Sequence, residues 1–391
     1  MGKPHDGKDV AVAKAIENGE ATSKFGLIRV VTTLNHFENV SGRTPRIGDW
    51  FEFKLAPKGS PTTRRPRIGI PTWYAGLTGS GYTTYSTGHT TSIDFLVDDE
   101  ADGPLPSSLG AAVVLTKRLP SSISNACSLT SIANQSSPST VLRQLSGSRP
   151  ASDIVVFDVG QASFNQVRDA SGKAIFFYDV GLPISFNRHT APPELAFHMS
   201  EGAPVVLSHW DWDHLHAALR FPALLERPWV VPRQKLGPGA ARLAHILAAK
   251  NNLHVWTSGH AQTSFGILSS CSGPYGDQNN SGLAVQVNLR RGRTALLVGD
   301  ADYSAARIGG RSLNPDYLVA THHGALFSGG VVSVPRPSAI GDTYVLSFGA
   351  GNVYRHPHDV ALDLHKRAGW RHELSTAARH GSPRGDVILR S

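Results

Sequence analysis

The sequence predicts a layered α/β domain that begins near residue 151, behind a β-rich region of about 150 residues. Three observations lead there. From residue 151 onward, apolar runs that end in polar residues alternate with stretches of helical periodicity. Before it, short apolar-aromatic runs are punctuated by Gly, Pro, Ser and Thr. Across the whole chain, 39 Gly, 25 Pro and only 17% charged residues suit a turn-rich β or α/β architecture better than a helical bundle.

The elements follow in order. "VAVAKAIENGEA" reads as a short helix. From "FGLIRVVTTL" to "AAVVLTKRL" the pattern is β-like, with "DWFEFKL", "RIGIPTWYAGL" and "TSIDFLV" as the clearest runs. Residues from about 120 to 150 are rich in Ser and poor in apolar residues, so they read as a linker or a loop-rich edge. "DIVVFDVG" and "AIFFYDVG" are apolar runs that each end in Asp-x-Gly and read as paired strands. "APVVLSH" is a buried strand; "LHAALRFPALLE" begins as helix, and "GAARLAHILAAKNN" is a helix with an Asn stop. "SGLAVQVNLRRGRTALLVGDAD" reads as a hairpin around an Arg-Gly turn. "DYLVATHHGA" and "DTYVLSFGAGN" are further strands, "DVALDLHKRAGW" a helix and "DVILR" a last strand.

Composition narrows the function. The formal net charge is +8, which favours a polyanionic partner such as nucleic acid or a nucleotide. The two cysteines, Cys127 and Cys271, exclude a disulfide framework and a cysteine-rich zinc site. The N-terminus lacks the apolar core of a secretory signal, and no apolar run reaches the roughly 18 residues of a membrane span. The expectation is a cytoplasmic protein with no membrane partner. No Walker A and no G-x-S-x-G motif is present.

The densest chemistry lies in "VVLSHWDWDHLHA", residues 205 to 217. In an extended exit from a strand, alternate side chains share a face. His209, Asp211 and Asp213 would then form a polar face, Trp210 and Trp212 an apolar one, and His214 would follow at the turn into a helix. Asp213 is also a candidate helix cap, but one cap does not require four metal-seeking residues. Further candidates end other strands: Asp300 after "TALLVG", His322 and His323 in "VATHH", and His356 and His358 in "YRHPH". A carboxylate such as Asp300 at a strand end is placed to bridge two cations.

H-x-D-x-D-H after a strand, then G-D, then H-H-G, resembles the metallo-β-lactamase superfamily. The closer likeness is to the metallo-β-lactamase-like domain of ComEC-type DNA-uptake proteins. Seven pieces match in order over about residues 153 to 372: "FDVGQAS", "FFYDVG", "LSHWDWDH", "NNSGLAV", "VGDAD", "THHGA" and "SFGAGNVYRHPH". Departures are Ala162-Ser163 for Gly-Asp, Gly282 for Ser, Ala325 for Ser, and His216-Ala217 for the glycines after the metal loop. The membrane channel of those proteins has no counterpart, so transport does not carry over.

The resemblance implies an αββα sandwich and a dinuclear site. His209 and Asp211 would hold one ion, Asp213 and His214 the other, and Asp300 would bridge them. One of His322 and His323 would complete the second position. Asn279 and Asn280 stand where a third ligand of the first would be expected. Such oxygen-rich ligation moves the preference from Zn²⁺ toward Mn²⁺ or Mg²⁺. Asp179, and less directly Asp158, would orient ligands from behind. His356, with Asn352 and Tyr354, would sit at the mouth, where it could protonate a leaving oxygen or bind phosphate. The implied reaction is hydrolysis of a DNA phosphodiester by a metal-activated water. Alternatives are a phosphodiesterase on a small cyclic nucleotide, another hydrolase of the superfamily, and a non-enzymatic binder. The N-terminal region, residues 1–150, would be the place for a protein partner.

Overall fold

The computed structural model describes residues 150–391 except 184, 196, 198–201, 237, 307 and 311–313, together with 128–132, 137–145 and six strands upstream. The chain forms two compact units: Met1–Ile132 with Leu236–Ile246, and Ala133–Lys235 with Leu247–Ser391.

In the first unit, β1 (Val10–Ala13) pairs antiparallel with β2 (Val30–Thr33). The expected helix at "VAVA" is therefore a strand: two β-branched valines alternating with alanines suit an extended chain as well as a helix, and pairing decides. The strands β3 (Trp50–Lys54), β4 (Thr72–Leu77), β5 (Thr83–Thr87) and β6 (Val113–Val114) form a second sheet in the order β5-β4-β3-β6. The strand β5 is rich in Thr and Tyr and escapes a search for apolar runs. "TSIDFLV" and Cys127 lie outside the described residues.

The Ser-rich stretch is not only a linker. It holds α1 (Leu129–Ile132) and α2 (Pro138–Leu145). Val141 and Leu145, four residues apart on one face of α2, are buried in the core of the second unit. Leu142 packs partly buried beside them, so three apolar residues dock a short helix whose other positions are mostly polar.

That second unit holds β7 (Asp153–Val156), β8 (Phe164–Arg168), β9 (Ala174–Val180), β10 (Val205–Val206), β11 (Trp229–Pro232) and β12 (Leu253–Trp256). It continues with β13 (His260–Thr263), β14 (Gly266–Ser270), β15 (Leu283–Asn288), β16 (Thr294–Leu297), β17 (Tyr317–Val319), β18 (Thr343–Leu346), β19 (His372–Ser375) and β20 (Val387–Arg390). They form two seven-stranded sheets, β12-β11-β10-β9-β8-β7-β20 and β13-β14-β15-β16-β17-β18-β19. The two Asp-x-Gly strands, β7 and β9, do not pair with each other. The strand β8 lies between them, antiparallel to both.

Strand alternation explains the layering. Ile154, Val156, Phe176, Tyr178, Val206 and Val230 of the first sheet meet Val285, Val287, Ala295, Leu297, Val319 and Val345 of the second in one core. The intervening residues face outward. Phe177 and Phe164 join an aromatic group with Phe157, Phe197 and Phe221. On the far side of the second sheet, Leu296, Leu318, Tyr344 and Leu346 pack with Trp370 and with Leu362 of α6 (Asp359–Ala368). That helix stops at Gly369, whose φ of +112° suits glycine. The result is the mixed α/β sandwich expected from the sequence.

What positions the site is the parallel part of each sheet. Strands β9 to β12 run parallel in the first sheet, and β16 to β19 in the second. The segments at Asp179, His209, Asp300, His322–His323 and Ser347 all lie at or just beyond the C-terminal ends of parallel strands, where open α/β sheets place their ligands.

Candidate metal centre

The loop after β10 carries the centre. Its extended part ends at Asp211, whose carboxylate accepts the Trp212 N–H at 2.8 Å and caps α3 (Trp212–Leu215), which is followed by α4 (Ala217–Arg220) and, after β11, by the expected helix α5 (Pro238–Ala249). The cap is therefore Asp211 rather than Asp213, and Trp212 belongs to the helix rather than to an alternating strand exit. Trp210 is buried and donates its indole N–H to the Pro232 carbonyl. It anchors the loop to β11.

Asp179 organises the loop from behind. It sits at the end of β9 with φ +59°, a conformation Asp tolerates better than most side chains. Its carboxylate accepts the Ser208 N–H (2.7 Å), the Ser208 hydroxyl (2.9 Å) and His214 Nδ1 (2.8 Å). Two residues on, Gly181 packs against the Asp213 carbonyl so closely that a Cβ has no room. Ser163 donates its N–H to that same carbonyl, and its own carbonyl accepts from Gly181.

Two groups of side chains converge: His209, His214 and Asp300, and Asp213, His214 and His323. His214 Nε2 is 3.0 Å from Asp300 Oδ1, and His209 Nε2 is 3.9 Å from Asp300 Oδ2. His323 Nε2 is 3.3 Å from Asp213 Oδ2 and 3.8 Å from Asp300 Oδ1. The Nε2 atoms of His209, His214 and His323 are buried with no aligned hydrogen-bond partner. Three buried imidazole nitrogens aimed at carboxylates but not bonded to them fit a divalent ion, which needs their lone pairs. His323, not His322, joins the second group; His322 Nε2 lies 3.4 Å from Asp300 Oδ2 and is partly exposed. Both histidines have positive φ, in a tight turn after β17 that turns both rings toward Asp300 but buries only His323.

The other predicted residues fall around this core. Asp211 belongs to neither group. Asn280 is held in its own loop, donating to Asp277 and accepting from the Asp302 N–H; Asn279 precedes it, half-buried. Asn352 donates to the main-chain carbonyl of His356 and accepts the His356 N–H, and the Tyr354 ring lies 5.5 Å from that of His356. Asp158 forms a two-point pair with Arg384 at 2.6 and 2.8 Å, so its carboxylate serves the C-terminal segment. Sequence reasoning missed Ser208, whose hydroxyl links Asp179 to His209, and Gln161, which reaches His356. Ser208 sits beside the metal motif, and only its hydroxyl chemistry marks it.

The buried carboxylates and imidazoles perturb one another strongly. Burial, then His214, pushes His209 down to about 3. Burial opposes protonation of His214, but Asp300 and Asp179 raise its pKa well above the ordinary value. Burial likewise opposes ionisation of Asp300, yet His214, His322 and His323 hold it well below the carboxylate range. Burial and the neighbouring Asp213 push Asp211 up to about 7.

No protein-family model and no curated protein matches this sequence. Among solved structures the chain is similar to Zn²⁺-bound PqqB from Methylobacterium extorquens, with 11% identity and a TM-score of 0.37, over 61% of this chain and 100% of that one. It is also similar to a candidate metallo-β-lactamase from Thermotoga maritima, with 11% identity and a TM-score of 0.25, over 38% of this chain and 79% of that one. Likenesses this distant say nothing of what this chain acts on.

Proposed function

We propose that the protein is a metal-dependent phosphodiesterase that hydrolyses DNA. The observation that carries the metal reading is the pair of groups sharing His214, with three buried Nε2 atoms left without partners. The phosphodiester reading rests on the ordered sequence likeness to ComEC-type domains and on the net charge of +8.

His209, His214 and Asp300 would hold one ion, and Asp213, His214 or Asp300, and His323 the other. His214 can give its Nε2 lone pair to only one ion, so the two groups together offer three imidazoles and two carboxylates. This set is richer in nitrogen than the sequence suggested and favours Zn²⁺ or Mn²⁺ over Mg²⁺. Bound ions would supply Lewis acidity and a water of lowered pKa. Asp179 fixes the His214 ring through Nδ1. Asp213, whose side chain is 20% exposed, would hold a proton taken from a water.

The experiment strips the protein with chelator and restores Mn²⁺, Zn²⁺ and Mg²⁺ separately. Each form is incubated with linear and circular DNA, single and double stranded, and with cyclic nucleotides. Metal-dependent DNA cleavage that is lost in the Asp213→Ala, His214→Ala double variant is the expected result. Turnover of cyclic nucleotides alone would replace the DNA reading, and metal binding without hydrolysis of either would sink both.

A further inference from the structure

The histidines of the site sort by what their Nδ1 atoms meet. A neutral imidazole has one N–H and one lone pair, and the partner of one nitrogen fixes the role of the other. His323 Nδ1 lies 2.7 Å from the Ser347 carbonyl oxygen, which can only accept. His214 Nδ1 lies 2.8 Å from an Asp179 carboxylate oxygen. His209 Nδ1 lies 3.0 Å from the Ser208 hydroxyl, whose proton goes to Asp179 and which therefore accepts. In all three Nδ1 carries a proton, so Nε2 is the atom that a metal ion would take, displacing any proton held there.

His356 is arranged the opposite way. Its Nδ1 lies 3.3 Å from the Gln161 side-chain nitrogen. The other end of that amide settles its orientation: Oε1 lies 3.2 Å from the Gly349 main-chain N–H, which can only donate. Gln161 is 1% exposed. Its own N–H is tied to the Thr190 hydroxyl at 2.9 Å. A side chain on Gly349 would run into Thr190 Cβ and lie 2.6 Å from the Gln161 main-chain nitrogen, so glycine there lets the segments meet. The amide NH₂ thus faces His356, Nδ1 must accept, and the ring proton stands on Nε2. Such a ring has no lone pair to give a metal at either nitrogen and presents a neutral donor instead. The His322 ring, whose Nε2 nears Asp300, lies 5.5 Å away centroid to centroid, so that donor stands beside the metal centre.

We propose that Gln161 is a positioning residue that holds His356 in its Nε2–H form, which keeps His356 out of the metal set and leaves it to donate to an anionic oxygen of the substrate. The identity of that oxygen as phosphoryl rests on the phosphodiesterase reading above; the tautomer does not.

The test is long-range ¹H–¹⁵N correlation NMR on the full chain labelled at histidine nitrogen, with His356→Asn to assign the signal. The wild-type protein should show the His356 proton on Nε2. Gln161→Glu, whose carboxylate can accept from both Gly349 and the ring, should move a proton to Nδ1; Gln161→Met should show both forms. A proton on Nδ1 in the wild type, or an unchanged ring in Gln161→Glu, overturns the proposal. With bis(p-nitrophenyl) phosphate as substrate, Gln161→Glu should lower kcat about tenfold or more with KM and metal content unchanged. A kcat within about twofold in a variant whose His356 Nε2 has lost its proton overturns the donor role. If the wild type turns over no phosphodiester, the hydrolytic reading fails, and the NMR result still decides what Gln161 does.

Discussion

At the scale of single residues, the centre depends on one carboxylate behind it. Asp179 is fully buried and binds Ser208 and His214 through both oxygens. Asp179→Asn keeps the size and tolerates the positive φ, but removes the charge that orients His214. Metal affinity should fall about 10- to 100-fold, read by calorimetric titration, while the folded circular dichroism spectrum is kept. An unchanged affinity would mean that Ser208 alone holds the ring. Cys271 gives a second prediction. Burial pushes its thiol up to about 12, so iodoacetamide at neutral pH should leave it unmodified in the native protein and label it only after unfolding. Labelling of Cys271 in the native state, located by peptide mass, would contradict its burial.

At the scale of elements, the centre depends on two loops pressed together. The turn after β9 and the helix α3 touch at Gly181 and Asp213. Gly181→Ala drives a methyl group into a main-chain carbonyl and should cost about 3 kcal/mol, the upper end for overpacking. Gly259→Ala, with open space around it, is the control and should stay within about 0.5 kcal/mol. The denaturation midpoints of the two variants check both values. Equal midpoints would mean that the α3 segment yields at no cost.

At the scale of the molecule, the two sheets hold opposite halves of the site. His209, Asp213 and His214 follow β10 of the first sheet; Asp300 and His323 follow β16 and β17 of the second. An ion held by either group would draw ligands from both sheets. At a free metal concentration about 100-fold above Kd, binding should add about 2.7 kcal/mol to the stability. For a unit of this size that is a rise in Tm of roughly 5–11 °C. Scanning calorimetry of stripped and metal-loaded protein measures it. A Tm indifferent to Mn²⁺, Zn²⁺ and Mg²⁺ would argue that the orphaned imidazoles hold no ion.

Much of this was legible in the sequence. Asp179, His209, Asp213, His214, Asp300 and the His322–His323 pair were readable because each sits at or just after an apolar strand, and the strand period needs only neighbouring residues to show itself. The hairpin of β15 and β16 and the helix α6 were readable for the same local reason. Short elements and distant meetings were not. The chain alone could not place β8 between β7 and β9, turn "VAVA" into a strand, or dock α2 through Val141 and Leu145. Nor could it choose His323 over His322, set Asp158 against Arg384, or bring Gln161 to His356 across 195 positions. The sequence by itself determined which side chains could serve as ligands, because side-chain type and strand period are local properties. Only the tertiary structure decided which of them meet and which nitrogen each offers, because those depend on hydrogen-bond partners brought from elsewhere in the fold.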